Sequence, residues 1–247
     1  MRCMHEASLH DDNVFLTLTY DNEHLPPLAS LRKRDFQLFM KRLRKKISPK
    51  KLRFFHSGEY GEETMRPHYH ALLFGYDFPD KYQWSTRGDN PVYRSPLLES
   101  LWTLGNSELG SVTFQSASYV AQYCIKKLTG PEANERYKRL HPETGELVPV
   151  EAEYATMSRR PGIGTGFYEK YGEEIHRHDS VVINGLEVKP PKFYDQLAEQ
   201  IRPQVLIKNK SMRKLNINDE ENSPHRLTIR ERVAERTSAF FNKEGEI

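Results

Sequence analysis

The stretch Arg66-Pro67-His68-Tyr69-His70-Ala71-Leu72-Leu73-Phe74 reads, past its proline, as a β-strand of aromatic and aliphatic residues between turn-forming neighbours. Side chains two apart on a strand share a face, so His68 and His70 project together from one surface. Two neutral imidazoles side by side form half of a divalent-metal site. The other reading is a pair of histidines hydrogen-bonded within a folded core. The i, i+2 spacing on an apolar strand, preceded by Gly58-Glu59-Tyr60-Gly61, favours the metal.

Just upstream, Leu52 to Glu59 reads as a second strand, and the short glycine-bearing connection from Tyr60 to Pro67 makes the two an antiparallel hairpin. That places Glu59 near His68 across the loop. Two imidazoles alone hold a hard cation weakly, so a carboxylate is expected to complete the site. Glu59 is best placed, and Glu62 and Glu63 in the connection are less favoured. Further upstream, Val14 to Tyr20 alternates β-branched and aromatic residues as a strand does, with Thr17 and Thr19 on one face. Ser30 is the expected N-cap of a helix whose Phe36, Phe39, Met40, Leu43 and Ile47 fall at helical spacing, and Pro49 ends it. From Leu31 to Arg53 there are eleven Lys and Arg against one acid, Asp35. Such a block seeks a polyanion, and Lys41, Arg42 and Lys45 are candidates for nucleic-acid contact.

Downstream, Asp77 to Gly110 reads as irregular, with Trp84, Tyr93 and Trp102 holding it over the core. Ser111 to Gln115 is expected to be a short strand, and Ser116 or Ser118 to cap a helix over Ala117 to Leu128 that Gly130-Pro131 terminates. On that helix Tyr119, Tyr123 and Lys127 are successive i, i+4 neighbours, while Val120, Cys124, Ile125 and Leu128 lie on another side. A tyrosine hydroxyl can attack phosphorus. With an unperturbed pKa of about 10, it needs a cation to favour the phenolate and a metal to polarise the phosphate. Lys127, or Lys126 as second choice, supplies the first need, and the histidine pair the second. Glu132 to Glu153 reads as a polar loop. Ser158-Arg159-Arg160-Pro161-Gly162-Ile163-Gly164 joins two arginines to glycines that permit close backbone approach, the pattern of an anion contact. Phe167 to Ile175 is expected to be helical. Val181 to Val188 is expected to be a hairpin on an Asn-Gly turn, and the tail from Lys208 charged and helical near its end.

The 247 residues suffice for one large domain with an extension, and 37% hydrophobic with 29% charged residues fits a globular protein without a membrane partner. No apolar run spans a bilayer and no signal peptide is apparent, which makes cytoplasm the default. Cys3 and Cys124 form neither a disulfide framework nor a C-x-x-C zinc element.

The Phe15-to-Tyr20 strand, the Gly58-Glu59-Tyr60-Gly61…Arg66-Pro67-His68-Tyr69-His70 stretch and the Tyr119…Tyr123…Lys127 helix resemble, in that order, the three motifs of the HUH endonucleases. The nearest likeness is to rolling-circle replication initiators of small single-stranded DNA phages of the microvirus and gokushovirus type, which carry a segment similar to Ser158–Gly164. The resemblance implies an α+β fold: a five-stranded antiparallel sheet, ferredoxin- or RRM-like, flanked by helices, with the histidine strand central and the tyrosine helix facing it. Residues 1–175 would form the nicking domain, with irregular insertions, and 176–247 a C-terminal extension of hairpin and charged helices. It further implies nicking and rejoining of single-stranded or supercoiled phage origin DNA in the host bacterial cytoplasm, through a 5′-phosphotyrosine link that frees a 3′-OH. Tyr119 and Tyr123 would alternate as nucleophiles. The family's metal is Mg or Mn, although the residue types Glu59, His68 and His70 also admit Zn. Arg66, Arg159, Arg160 and the basic helix would hold the DNA backbone, and a host helicase or polymerase would be a further partner. Phage relatives carry a cysteine-rich segment before the first strand, which the opening Met1-Arg2-Cys3 reads as lacking. Two alternatives stand: a non-catalytic single-stranded nucleic-acid binder on an open sheet, and another HUH enzyme, a transposase or plasmid replication protein. A relaxase would have its tyrosine ahead of its histidines.

Overall fold

The computed structural model describes residues 1–61, 63–126, 131–217 and 220–244, with the side chains of all of these except 123–126, 131, 132, 134 and 238–244. Its elements run α1 (Arg2–Ala7), β1 (Asn13–Thr19), α2 (Lys33–Ile47), β2 (Arg53–Tyr60), β3 (Pro67–Phe74), β4 (Tyr82–Arg87), β5 (Asn90–Arg94), α3 (Pro96–Leu101), β6 (Ser107–Gly110) and α4 (Phe114–Lys126). There follow α5 (Pro131–Arg136), β7 (Lys138–Leu140), β8 (Leu147–Pro149), β9 (Tyr154–Met157), α6 (Thr165–His178), β10 (Val181–Ile183), β11 (Leu186–Val188), α7 (Lys192–Ile201), α8 (Pro203–Leu215) and α9 (Pro224–Glu244). The chain divides into two compact units, Met1–Gly166 and Phe167–Ile247.

The first unit is built on an antiparallel sheet of order β4-β5-β6-β1-β3-β2-β9. The fold is thus α+β with an antiparallel sheet, but the sheet has seven strands where five were expected. The additional strands come from the segment read as irregular: β4 and β5 form a ribbon that joins β6 through a single Cα pair, Tyr93↔Leu109. The histidine strand β3 lies between β1 and β2 and is buried along nearly its whole length. A strand covered on both faces reads as a continuous apolar run rather than as alternation, and Ala71-Leu72-Leu73-Phe74 is that run.

The pleat sorts the core into two layers. Val14, Leu16, Leu18, Tyr69, Ala71 and Leu73 point to one face, where Phe36, Phe39, Met40 and Leu43 of α2 cover them together with Leu98 and Trp102. Phe55, Leu72 and Phe74 point to the other, where Ala117 and Val120 of α4 and Ile163 cover them. α2 therefore uses the apolar stripe read from its spacing, with its remaining side turned outward. Its start differs from expectation. Arg32 is the N-cap without a side-chain cap bond, because the Ser30 hydroxyl accepts the Glu151 backbone N–H instead, at 3.0 Å.

The expected strand Ser111–Gln115 is a turn into α4, and the strand sits just earlier, at β6. Thr113 and Ser116 cap α4 reciprocally. The Ser116 N–H donates to Thr113 Oγ1 at 3.1 Å and the Thr113 N–H to Ser116 Oγ at 2.8 Å, a capping box with serine as the returning residue. The end of that helix expected at Leu128 to Gly130 lies outside the described residues. The polar loop Glu132–Glu153 instead holds α5 and the hairpin β7–β8, and β9 adds to the sheet edge beside β2. Of the three aromatics expected over the core, Trp102 is 1% exposed and Tyr93 packs against the core, but Trp84 stands in solvent.

In the second unit β10 and β11 pair as a hairpin whose turn residues Asn184 (φ 49°) and Gly185 (φ 76°) both adopt the positive φ that an Asn-Gly turn requires. Arg213 links Asp179 and Asp195, at 2.6 Å to Asp195, and Asn209 donates to the His176 carbonyl at 2.8 Å, tying α6, α7 and α8 to one another.

Candidate active site

Strand register sets the site. Across β1, β3 and β2 the Cα partners are Thr19, His68 and Glu59 in one row and Thr17, His70 and Ser57 in the next. Directly opposed residues share a face, so all six look to the side covered by α4. The rows bring together the three residues expected to ligate a cation. Glu59 Oε1 lies 2.8 Å from His70 Nε2 and 3.3 Å from His68 Nε2, and one donor atom from each residue falls within 4.8 Å of the others.

The donor chemistry of this group fits a cation. Glu59 is fully buried, and neither carboxylate oxygen accepts a hydrogen bond of good geometry among the described residues. His68 Nδ1 lies 3.2 Å from the Arg66 carbonyl, which can only accept, so Nδ1 carries the proton. The lone pair of Nε2 is then left facing a carboxylate oxygen. Two lone pairs held that close repel unless a proton or metal ion lies between them. His70 is oriented in the same manner: its Nδ1 is 3.1 Å from Thr17 Oγ1, and its ring stacks on Phe15 with centroids 5.5 Å apart. Such outer contacts fix the tautomer of metal-binding histidines. The electrostatics agree. Burial raises the Glu59 pKa, but the two imidazoles outweigh it and hold the carboxyl below the usual range. For His68 burial is outweighed by Glu59 and the pKa rises, whereas for His70 burial prevails and it falls.

α4 carries Tyr119 to this group. Its hydroxyl oxygen is 3.5 Å from His70 Nε2, and the two rings meet edge to face with centroids 5.0 Å apart. Val120 on the same helix is buried against the sheet, so the apolar residues hold the helix while Tyr119 faces the histidines. The side chains of Tyr123 and Lys126 are not described, and Lys127 lies outside the described residues, as does Glu62. Glu63 is exposed on the β2–β3 connection.

The expected DNA contacts are dispersed. Arg66 donates to the Tyr20 carbonyl and to Asn22 Oδ1, both at 3.0 Å, and so pins the loop after β1. Arg159 and Arg160 follow the end of β9, next to a turn fastened from three sides. Arg53 donates to the Pro161 carbonyl at 2.8 Å, Arg2 to the Ile163 carbonyl at 2.9 Å, and the Gly164 N–H to the buried Glu6 at 2.7 Å. Lys41 and Lys45 are exposed, and Arg42 is tied to the Leu101 carbonyl at 2.8 Å. All three belong to α2, across the sheet from the histidine pair.

Sequence reading missed Thr17 as the partner of His70, although the pairing of Thr17 and Thr19 on one strand face was the available signal. It also missed Arg87, whose guanidinium reaches Glu108 at 2.9 Å. Glu108 extends the Thr17–His70–Ser57 row onto β6, a proximity that no local pattern encodes.

Comparison with known proteins matches this part of the chain. The family model for replication-associated proteins of the ORF2 type covers residues 13–128, which contain the metal-competent group and Tyr119. The chain is 37% identical over 214 residues to replication-associated protein VP4 of Bdellovibrio phage phiMH2K, covering 83% of this chain and 63% of that protein. It is 34% identical over 201 residues to replication-associated protein ORF2 of Spiroplasma virus 4 (76% and 58%), and 26% identical over 212 residues to replication-associated protein ORF4 of Chlamydia phage 1 (79% and 48%). The chain thus spans about half to two-thirds of the length of these relatives. No solved structure matches it. The chain belongs to the family of phage replication-associated proteins.

Proposed function

We propose that this protein initiates rolling-circle replication by nicking and rejoining single-stranded origin DNA through a 5′-phosphotyrosine intermediate. The observation that carries the reading is the approach of the Tyr119 hydroxyl to within 3.5 Å of His70 Nε2, beside a buried carboxylate and a second imidazole. Glu59, His68 and His70 would hold Mg or Mn, which when bound supplies Lewis-acid polarisation of the scissile phosphate. Tyr119 Oη attacks phosphorus, the P–O3′ bond breaks, and the departing oxygen takes up a proton to become the 3′-OH. The phenol loses its proton to solvent, and the link to the 5′-phosphate stays on the enzyme. Rejoining is the reverse, with the 3′-OH attacking and the phenol released. Tyr123, one turn further along α4, is the second nucleophile that lets a round be closed without release of the strand. Lys127, or Lys126, supports the phenolate.

Phosphate contacts from Arg159 and Arg160 at the fastened turn, with Arg66 beside the histidine strand, would give the salt-dependent share of affinity. Lys41, Arg42 and Lys45 would hold DNA that passes around to the α2 face. Work in the host bacterial cytoplasm with a host helicase or polymerase follows from the reading. Among the described residues no helix is long and apolar enough to cross a membrane. A non-catalytic binder accounts for the basic residues but leaves the Glu59–His68–His70–Tyr119 group without a purpose.

Covalent-adduct trapping on origin-bearing single-stranded DNA tests the proposal, with Tyr119→Phe, Tyr123→Phe and the double substitution compared in Mg, in Mn and in chelator. Each single variant is expected to retain cleavage, and the double variant and the chelated protein to form no adduct. An adduct in the double variant, or one formed in chelator, refutes the assignment.

A further inference from the structure

The β4–β5 ribbon takes no part in the chemistry above, yet it adjoins that site. β4 is the free edge of the sheet, and every one of its residues is exposed. Free edges are ordinarily blunted by proline, lysine or a covering segment. This one instead displays two large rings, Trp84 at 58% and Tyr82 at 45% exposure, interrupted by a register shift between Gln83 and Ser85. The Arg94 guanidinium lies 4.9 Å from the centroid of the Trp84 ring, which backs the indole from one side. Three residues further along, about 10 Å of strand, Arg87 reaches Glu108 at 2.9 Å. Glu108 is the cross-strand partner of Thr17, and Thr17 of His70. The tip of the ribbon therefore stands at the end of the residue row that carries His70. Between Lys81 and Arg94 three cations accompany one acid, Asp89.

We propose that the β4 edge is a stacking platform for single-stranded DNA, with Trp84 and Tyr82 each receiving a base face and Arg87 a phosphate. Exposed rings interleaved with cations are the equipment of sequence-tolerant single-strand binding, because every base offers a π-face and the backbone supplies the charge. A strand engaged here continues along the Glu108–Thr17–His70 row toward Tyr119, so the ribbon holds DNA flanking the scissile phosphate. The inference rests on the reading that the substrate is single-stranded DNA.

Tryptophan fluorescence isolates the site, because the other tryptophan, Trp102, is 1% exposed. Titration of the full chain with oligothymidylate, without metal and therefore without cleavage, is expected to quench Trp84 emission. The same bases in a duplex are expected to leave it unchanged. Trp84→Ala is expected to weaken oligothymidylate affinity about tenfold with an unaltered melting temperature. Arg87→Gln is expected to lower the slope of log affinity against log salt by about 0.7. Absence of quenching, equal quenching by duplex, or an unchanged affinity in Trp84→Ala overturns the platform. Because the readout needs neither metal nor adduct, it is independent of the cleavage assay: a chain that quenches but never forms an adduct retains the platform and loses the nicking proposal.

Discussion

Replacing Thr17 by valine isolates the proposed metal function from the fold. Thr17 Oγ1 lies 3.1 Å from His70 Nδ1 and is the contact that turns Nε2 toward Glu59, which it approaches at 2.8 Å. Valine keeps the β-branched shape and the strand preference of threonine, so β1 between β6 and β3 is left intact. What is lost is one oriented partner of one candidate ligand. Removing such a partner weakens metal binding about 10- to 100-fold, equivalent to roughly 1.4 to 2.7 kcal/mol. Calorimetric titration with Mn should show that loss in Thr17→Val, and the Mn concentration at half-maximal adduct formation should rise by the same factor. Thermal stability without metal should change by less than about 1 kcal/mol, since the hydroxyl is only partly buried. Equal Mn affinities in the two proteins would refute the argument that Thr17 sets the imidazole and, with it, the orientation assigned to His70.

Gly105→Ala should be severely destabilising: at φ 150° an added Cβ would lie 2.3 Å from the Asp21 amide nitrogen and 2.4 Å from the Thr19 carbonyl oxygen, and a drop of less than about 1 kcal/mol in urea unfolding would contradict this close backbone approach. Tyr69→Phe should cost about 1–3 kcal/mol, because the buried phenol joins Tyr20 at 2.7 Å and spans the Arg32 amide and carbonyl at 3.0 and 2.9 Å; an unchanged unfolding midpoint would mean that this network is dispensable. His56, stacked on Phe36 with centroids 3.6 Å apart, has its pKa pushed down by burial to about 3. The unfolded chain therefore binds a proton near pH 6.5 that the folded chain refuses, and stability present above that pH falls by up to about 1.4 kcal/mol per unit as pH drops toward 3. His56→Phe should flatten the curve in this window, and identical slopes in the two proteins would sink the assignment.

How much of this was legible in the sequence follows from how local each signal is. The β1 and β3 strands and the apolar stripe of α2 carry strong periodicity, and the structure places them as read. The Glu59–His68 approach was legible because a short connection forces a hairpin, and hairpin register is local. The Tyr119 placement came from the resemblance and from helical spacing, and the structure sets its hydroxyl beside His70. The seven-stranded sheet was not legible. β4 is wholly exposed, and β5, β6 and β9 are four or five residues long, too short for alternation to rise above a turn-rich background. β9 exists because β2 offers it an edge, which is a tertiary fact. The cap of α2 failed for a related reason: Ser30 has the right chemistry, but a distant amide, that of Glu151, takes its hydroxyl.

The central claim is that Glu59, His68 and His70 grip a divalent cation in front of Tyr119. Anomalous diffraction from crystals of the protein grown with Mn tests it most directly. The account predicts one strong peak in contact with Glu59 and both imidazoles, lost in His70→Ala. A protein saturated with Mn that shows no peak between these three side chains, or shows its ion elsewhere, would contradict it.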